Sequence, residues 1–331
     1  MLIDSCVAPG TSTPASANYL TKIGVPPESV KIIVASHWHD DHVRGMSKLV
    51  RLYPTAEFFV PSVFRDSESR AFLAAYSGSE CANLSGGTKE LYESLVSRNN
   101  SGWFATSSRI EVFSDKNPSL PVQVVAYSPT QAAMAQFLAH VLDYLPKENQ
   151  DSPIIQAPEL APNISSVVLH VELGDASILL GADLERHSAA GWDIVVADGW
   201  CQARSRAGLF KVAHHGSESG DHPDIWATLL SNNPVALMSP FNKGRHALPT
   251  ANDRDRILKQ TSAAYITSTA SRRPQLLAEQ LKRLEDMASN VRPVQSGFGA
   301  LRARRPAGAG NWAVETFGSA GTLQSMGHVA A

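Results

Sequence analysis

The chain has 331 residues, 43% apolar and 18% charged, with a formal charge of −2. Those values suit a globular chain of one or two domains and give no global basic field that would point to nucleic acid. No window approaches the run of about 20 apolar residues that a membrane span needs.

The elements follow in chain order. "MLIDSC" reads as a short strand closed by the turn-rich "APGTSTP", and the stretch has neither the basic n-region nor the long apolar run expected of a secretory signal. Residues 17–24 have helical spacing ending at a glycine, and "VKIIVASH" (30–37) is a β-branched run of a buried strand. A helix stopped by Pro54 and the strand "AEFFVP" (56–61) come next, so the alternation is that of layered α/β structure. Residues 62–121 are less regular, with helical patches at 69–77 and 88–98, and a helical insertion or cap is expected there. "VQVVAYSP" (122–129) returns to strand, and 130–146 reads as a helix with Thr130 as N-cap. A polar, proline-marked loop (147–163) leads to strands at 165–173 and 176–183 joined by a hairpin turn, and "WDIVVAD" (192–198) reads as a third strand. Apolar runs end in "HHGS" (208–217) and "MSP" (235–240). Another strand (263–268), an amphipathic helix (273–289) and a C-terminal hairpin complete the series. Cys6, Cys81 and Cys201 are widely spaced and odd in number, which fits neither a disulfide framework nor a thiolate metal site, so a reduced, cytoplasmic setting is expected. Residues 251–331 hold eleven Lys and Arg against six Asp and Glu, a balance read first as a solvated helix face and tail.

One stretch stands apart. "VASHWHDDHVRG" (34–45) places three histidines and two aspartates within six positions, just where a strand ends. Alternate side chains of an extended segment share a face, so His37 and His39 can point together. Asp41 and His42 then enter the same space from the following turn. Imidazole and carboxylate donors suit zinc, manganese or iron without thiolate. Four ligands do not complete two sites, and three later segments offer more: Asp183 after a buried run, the pair His214 and His215, and His246 in "NKGRHALP". His140 and His170 sit inside regular elements and read as structural. Trp38, inside the loop, reads as packing under the site.

The series "LIDSC", "SHWHDDH", "GAD", "HHGS", "NKGRH" resembles the metallo-β-lactamase superfamily. Its second half is most similar to the hydrolase domain of the competence DNA-uptake protein family and its soluble relatives. The resemblance covers about residues 1–60 and 122–305. It implies a four-layer αβ/βα sandwich in a single domain spanning 1–331, with the first hairpin of the fold missing ahead of Met1. It further implies two divalent ions, zinc first and manganese as the alternative. His37, His39 and one of His214 or His215 would hold the first, Asp41, His42 and His246 the second, and Asp183 would bridge them. Spacing does not choose between His214 and His215; the working assignment makes His215 the ligand and His214, with Asp41, the proton carrier. Asn163 and Ser165 match the family's Asn-x-Ser lead-in and are expected near the site. The implied chemistry is hydrolysis by a hydroxide activated between the ions, with a phosphodiester, DNA included, as first substrate. Arg272, Arg273, Arg302, Arg304 and Arg305 are candidate phosphate contacts. Ester, lactone or lactam hydrolysis, or a metal-stabilised binding module, are the alternatives. No membrane partner is expected, and the oligomeric state is open.

Overall fold

Two β-sheets lie face to face, each with helices on its outer side. The structure, a computed structural model, describes residues 1–8, 10–76, 86–98, 102–142, 162–242, 247–269, 283, 298–308 and 310–325. The first sheet joins β1 (Leu2–Ile3), β2 (Ile32–Val34), β3 (Glu57–Pro61) and β4 (Trp103–Thr106) in that order, all parallel. The second runs, from one edge to the other, through β5 (Glu111–Asp115), β6 (Val122–Ala126), β7 (Leu169–Leu173), β8 (Ala176–Leu180), β9 (Ala207–Lys211), β10 (Leu230–Met238), β11 (Ala264–Ile266) and β14 (Gly321–Thr322). Its β5–β8 half is antiparallel, and β8 to β11 are parallel. β12 (Gly299–Arg304) and β13 (Ala313–Gly318) form a separate hairpin.

The helices are α1 (Ala15–Lys22), α2 (Asp40–Val43), α3 (Met46–Leu52), α4 (Ser67–Tyr76), α5 (Gly86–Ser97), α6 (Gln131–Leu142), α7 (Trp192–Ala197), α8 (Gly199–Gln202) and α9 (Ala251–Gln260). The strand period of two sorts their apolar residues into three buried clusters. Ile33, Phe58 and Val60 of the first sheet meet Leu49 of α3, Leu91 and Leu95 of α5 and Phe137 of α6. Ile32, Val34 and Phe59, on the opposite face of the same strands, meet Val124, Leu169 and Val171 of the second sheet. Leu179, Phe210 and Ala236 turn outward to Trp192, Val195 and Val196 of α7 and Ile257 of α9. Three clusters between four layers make an α/β/β/α sandwich.

Most elements read from the sequence recur, including the β7–β8 hairpin, where Leu173 faces Ala176, and Thr130 as cap of α6, its Oγ1 accepting from Ala133 N at 3.2 Å. "WDIVVAD" is a correction: it forms helix α7, not a strand. Trp192, Val195 and Val196 are its buried positions, an i, i+3, i+4 set that a short apolar run does not distinguish from a strand. Residues 62–121 contain α4 and α5 and also β4 and β5, one edge strand of each sheet. The expected helix at 273–289 lies outside the described residues except for Arg283. Among the described residues, no helix is long and apolar enough to cross a membrane.

Candidate metal centre

Parallel strands of both sheets end at one place. β1 and β2 run side by side with Ile3 facing Val34, and β8 and β9 with Leu180 facing Lys211. The loops beyond their carboxyl ends carry Asp4, the 36–42 segment, Asp183 and the histidine pair. Crevices outside such strand ends are where α/β sheets bind ligands.

The 36–42 segment stays extended to His39 and then turns into α2. His37, His42, Asp183 and His215 are all buried, Asp183 to 2% exposure. His37 Nε2 lies 3.1 Å from His39 Nδ1 and 4.0 Å from Asp183 Oδ2. His42 Nε2 lies 3.2 Å from Asp183 Oδ1. His215 Nε2 lies 3.1 Å from Asp41 Oδ2 and 3.4 Å from Asp183 Oδ2. These atoms form two overlapping groups, His37–His39–Asp183 and Asp41–His42–Asp183–His215, with Asp183 common to both.

Three of the imidazoles are held from behind at Nδ1, which leaves Nε2 for the shared space. Ser36 Oγ stands 3.1 Å from His37 Nδ1, Asp4 Oδ2 is 2.7 Å from His42 Nδ1, and the Ser239 carbonyl is 3.1 Å from His215 Nδ1. Metal-binding histidines characteristically carry such an outer partner, which fixes ring orientation.

The donor set fits divalent cations. Asp41 Oδ2 and Asp183 Oδ1 are buried and accept no hydrogen bond, although imidazole nitrogens stand close by. Ligand atoms bound at 2.0–2.1 Å around one tetrahedral zinc lie about 3.3 Å apart, close to the spacings given above. The electrostatics agree. Burial alone would raise the Asp183 and Asp41 carboxyls, but neighbouring His42 and His215 hold both below the usual carboxylate range. Burial lowers His37, helped by His42, so it stays a neutral donor. Burial also opposes charge on His42 and His215, yet Asp183, with Asp4 for His42 and Asp41 for His215, raises both. The two carboxylates draw positive charge into the cluster, and bound cations would provide it in place of protons.

Asp4 is the residue that sequence reasoning passed over. Its carboxylate accepts from Ser36 N at 2.7 Å and Ser36 Oγ at 2.8 Å besides meeting His42. It sits at φ 57°, a left-handed conformation for a side-chain-bearing residue. The available signal was a carboxylate directly after the first short apolar run. Asp4→Asn is expected to weaken divalent metal binding by about 10–100-fold, measured by titration against a chromophoric chelator, while far-ultraviolet dichroism stays that of the native chain.

Asp40 has a different task. Its Oδ1 accepts from Gly87 N at the start of α5. A Cβ on Gly87 would come within 1.9 Å of the Trp38 carbonyl, so only glycine lets α5 approach the loop this closely. Trp38 packs beneath, edge-on to Phe64 at 4.8 Å and Phe137 at 5.3 Å.

The grouping of these donor side chains differs from the one the resemblance implies. His215 stands with Asp41 and His42 rather than with His37 and His39. The backbone turn decides this: His214 and His215 are both left-handed, at φ 45° and 54°, so they do not alternate as strand residues do. His214 lies outside both groups, its Nδ1 3.1 Å from Glu185 Oε1 and 2.9 Å from Ser217 Oγ, its Nε2 3.4 Å from Asn163 Nδ2. Asn163 is thus beside the site, and Ser165 is buried in the same turn. Three non-glycine residues, Ala182, His214 and His215, join Asp4 in the left-handed region around the cluster. Each such residue costs on the order of 1–3 kcal/mol, a strain found mainly at functional sites.

His246, Arg272 and Arg273 lie outside the described residues. Arg302 is paired with Glu315 and Arg305 with Asp175, both through two hydrogen bonds, so those guanidinium groups are already engaged. His170 is structural, bonding the Ser205 carbonyl at 2.8 Å and stacking on Tyr127.

No curated protein matches the chain. The family model described as the metallo-beta-lactamase superfamily matches residues 1–70, the segment that holds Asp4 and the whole of the His37–His42 loop.

Proposed function

We propose that the chain is a single-domain cytoplasmic hydrolase that works with two divalent ions, zinc first and manganese second, on phosphodiesters, DNA among them. His37, His39, Asp41, His42, Asp183 and His215 are its ligands. The observation that carries this reading is the convergence of the buried Asp183 carboxylate, the part-exposed Asp41 carboxylate and four imidazoles, with Asp183 shared between the two groups. Bound there, the ions would supply Lewis acidity and a water acidic enough to ionise near neutral pH.

The chain's own residues do the rest. Asp4, Ser36 and the Ser239 carbonyl orient His42, His37 and His215 so that no reorganisation is needed on binding. Asp41, part-exposed where Asp183 is buried, faces the open side of the cluster. His214 is oriented by Glu185, and its Nε2 is the atom that takes or returns a proton at the substrate's leaving oxygen. The phosphodiester preference is supported by the resemblance of "GAD", "HHGS" and "NKGRH" to the competence-type hydrolase domain, which is analogy rather than pocket chemistry.

The test is hydrolysis by zinc- and manganese-loaded protein of a bis-aryl phosphodiester, single- and double-stranded DNA, a lactone and a lactam. Chelator-sensitive cleavage confined to the phosphodiesters is the expected result. Cleavage of the lactone or lactam alone overturns the substrate class, and a metal-loaded protein inert on all of them overturns the enzymatic role.

A further inference from the structure

His214, His215 and Gly216 lie in the left-handed region one after another, at φ 45°, 54° and 80°. Side chains resist that conformation, and such a turn persists only where its surroundings over-determine it. On one side the support comes from the β8 end, where His214 N donates to the Ala182 carbonyl at 3.0 Å. On the other side stands α9. Arg256 donates through Nη2 to the Gly216 carbonyl at 2.7 Å, through Nε to Asp221 Oδ2 at 2.7 Å and through Nη1 to Asp253 Oδ1 at 2.7 Å.

Each partner of this guanidinium is itself anchored. The indole Nε1 of Trp226 donates to Asp221 Oδ1 at 2.7 Å. Asp253 completes the capping box of α9 with Thr250. The next residue, Ile257, is buried with its Cδ1 3.0 Å from where a Cβ on Gly216 would stand, which closes the turn from below. A planar guanidinium satisfies three acceptors in fixed directions, whereas an ammonium acts as a single point charge.

We propose that Arg256 is a positioning residue for the metal centre. By clamping the Gly216 carbonyl to Asp221 and Asp253, it fixes the left-handed turn that brings His215 Nε2 to Asp41 and Asp183. It touches neither ion nor substrate. This inference rests on the reading of the cluster as a metal centre, and the experiment separates the two.

Wild type, Arg256→Met, Arg256→Lys and Asp221→Asn are titrated with Co2+ and followed by visible absorption, with dichroism and thermal unfolding as controls for folding. Wild type is expected to bind Co2+ with a defined ligand-field spectrum. Folded Arg256→Met is expected to bind at least ~10-fold more weakly, in the range for loss of an outer partner, with an altered spectrum. Arg256→Lys should recover part of both, and Asp221→Asn, which keeps the Gly216 bond, should fall between. If Arg256→Met does not fold, Asp221→Asn and Arg256→Lys carry the test, and wild-type affinity and spectrum in both overturn the clamp. Wild-type affinity and spectrum in folded Arg256→Met overturn it likewise. No Co2+ binding by wild type overturns the metal centre, and the clamp with it.

Discussion

Asp183→Asn is expected to lose one or both bound ions and to lower hydrolysis by roughly 10^3-fold or more, since a metal's electrostatic contribution is worth several kcal/mol. The amide keeps the size of the side chain but not its charge. Asp183 lies within 3.2 Å of His42, 3.4 Å of His215 and 4.0 Å of His37, so both ligand groups lose their common member at once. The fold should survive, because the three apolar clusters that hold the layers together do not include this residue. Elemental analysis, steady-state rates and dichroism on the same preparation make the comparison. Full activity with full metal content in Asp183→Asn would remove it from the centre.

Much of this was legible in the sequence because strand ends announce themselves. β2, β8 and β9 are apolar runs closed abruptly by polar ligand-type residues, and the layered α/β order follows from their alternation with helical segments. The departures have physical reasons. "WDIVVAD" gave no periodic evidence against helix, and tertiary packing against β9 and β10 chose the helix. β4 and β5 are short, and β5 carries Glu111, Ser114 and Asp115, so their edge positions made them look irregular. Asp4 was hidden because its role depends on β1 lying parallel to β2, a pairing no local pattern encodes. The grouping of His215 with Asp41 depended on left-handed backbone angles at two residues with side chains, which sequence rules assign to glycine. His246 was singled out by its place in the series and lies outside the described residues.

Stripping the metal has the second large effect, on stability. An ion that binds only the folded chain, at a thousand times its dissociation constant, stabilises it by about 4 kcal/mol per site. In a chain of this length that moves the unfolding midpoint by roughly 5–10 °C per site. Chelation should therefore lower the midpoint by that much, and zinc should restore it. The stripped protein should also gain a pH dependence that the loaded one lacks. His42 and His215 are raised above their ordinary range by the facing carboxylates. Their contribution to stability is fully present below about pH 6.5 and is lost as pH rises through the raised values. The depressed Asp41 and Asp183 act in the opposite sense, contributing above the ordinary carboxylate range and losing that contribution as pH falls through their lowered values. Metal-free protein should thus unfold at lower temperature in alkaline buffer than near neutrality. Ions that replace the imidazole protons should flatten that slope, and scanning calorimetry with and without chelator measures it.

The most direct measurement is anomalous scattering from crystals grown with zinc. Two peaks about 3.5–4 Å apart, one against His37 and His39, the other against Asp41, His42 and His215, with the Asp183 carboxylate between them, are expected. Zinc bound elsewhere, or an Asp183 carboxylate that touches no ion, would contradict a dinuclear centre.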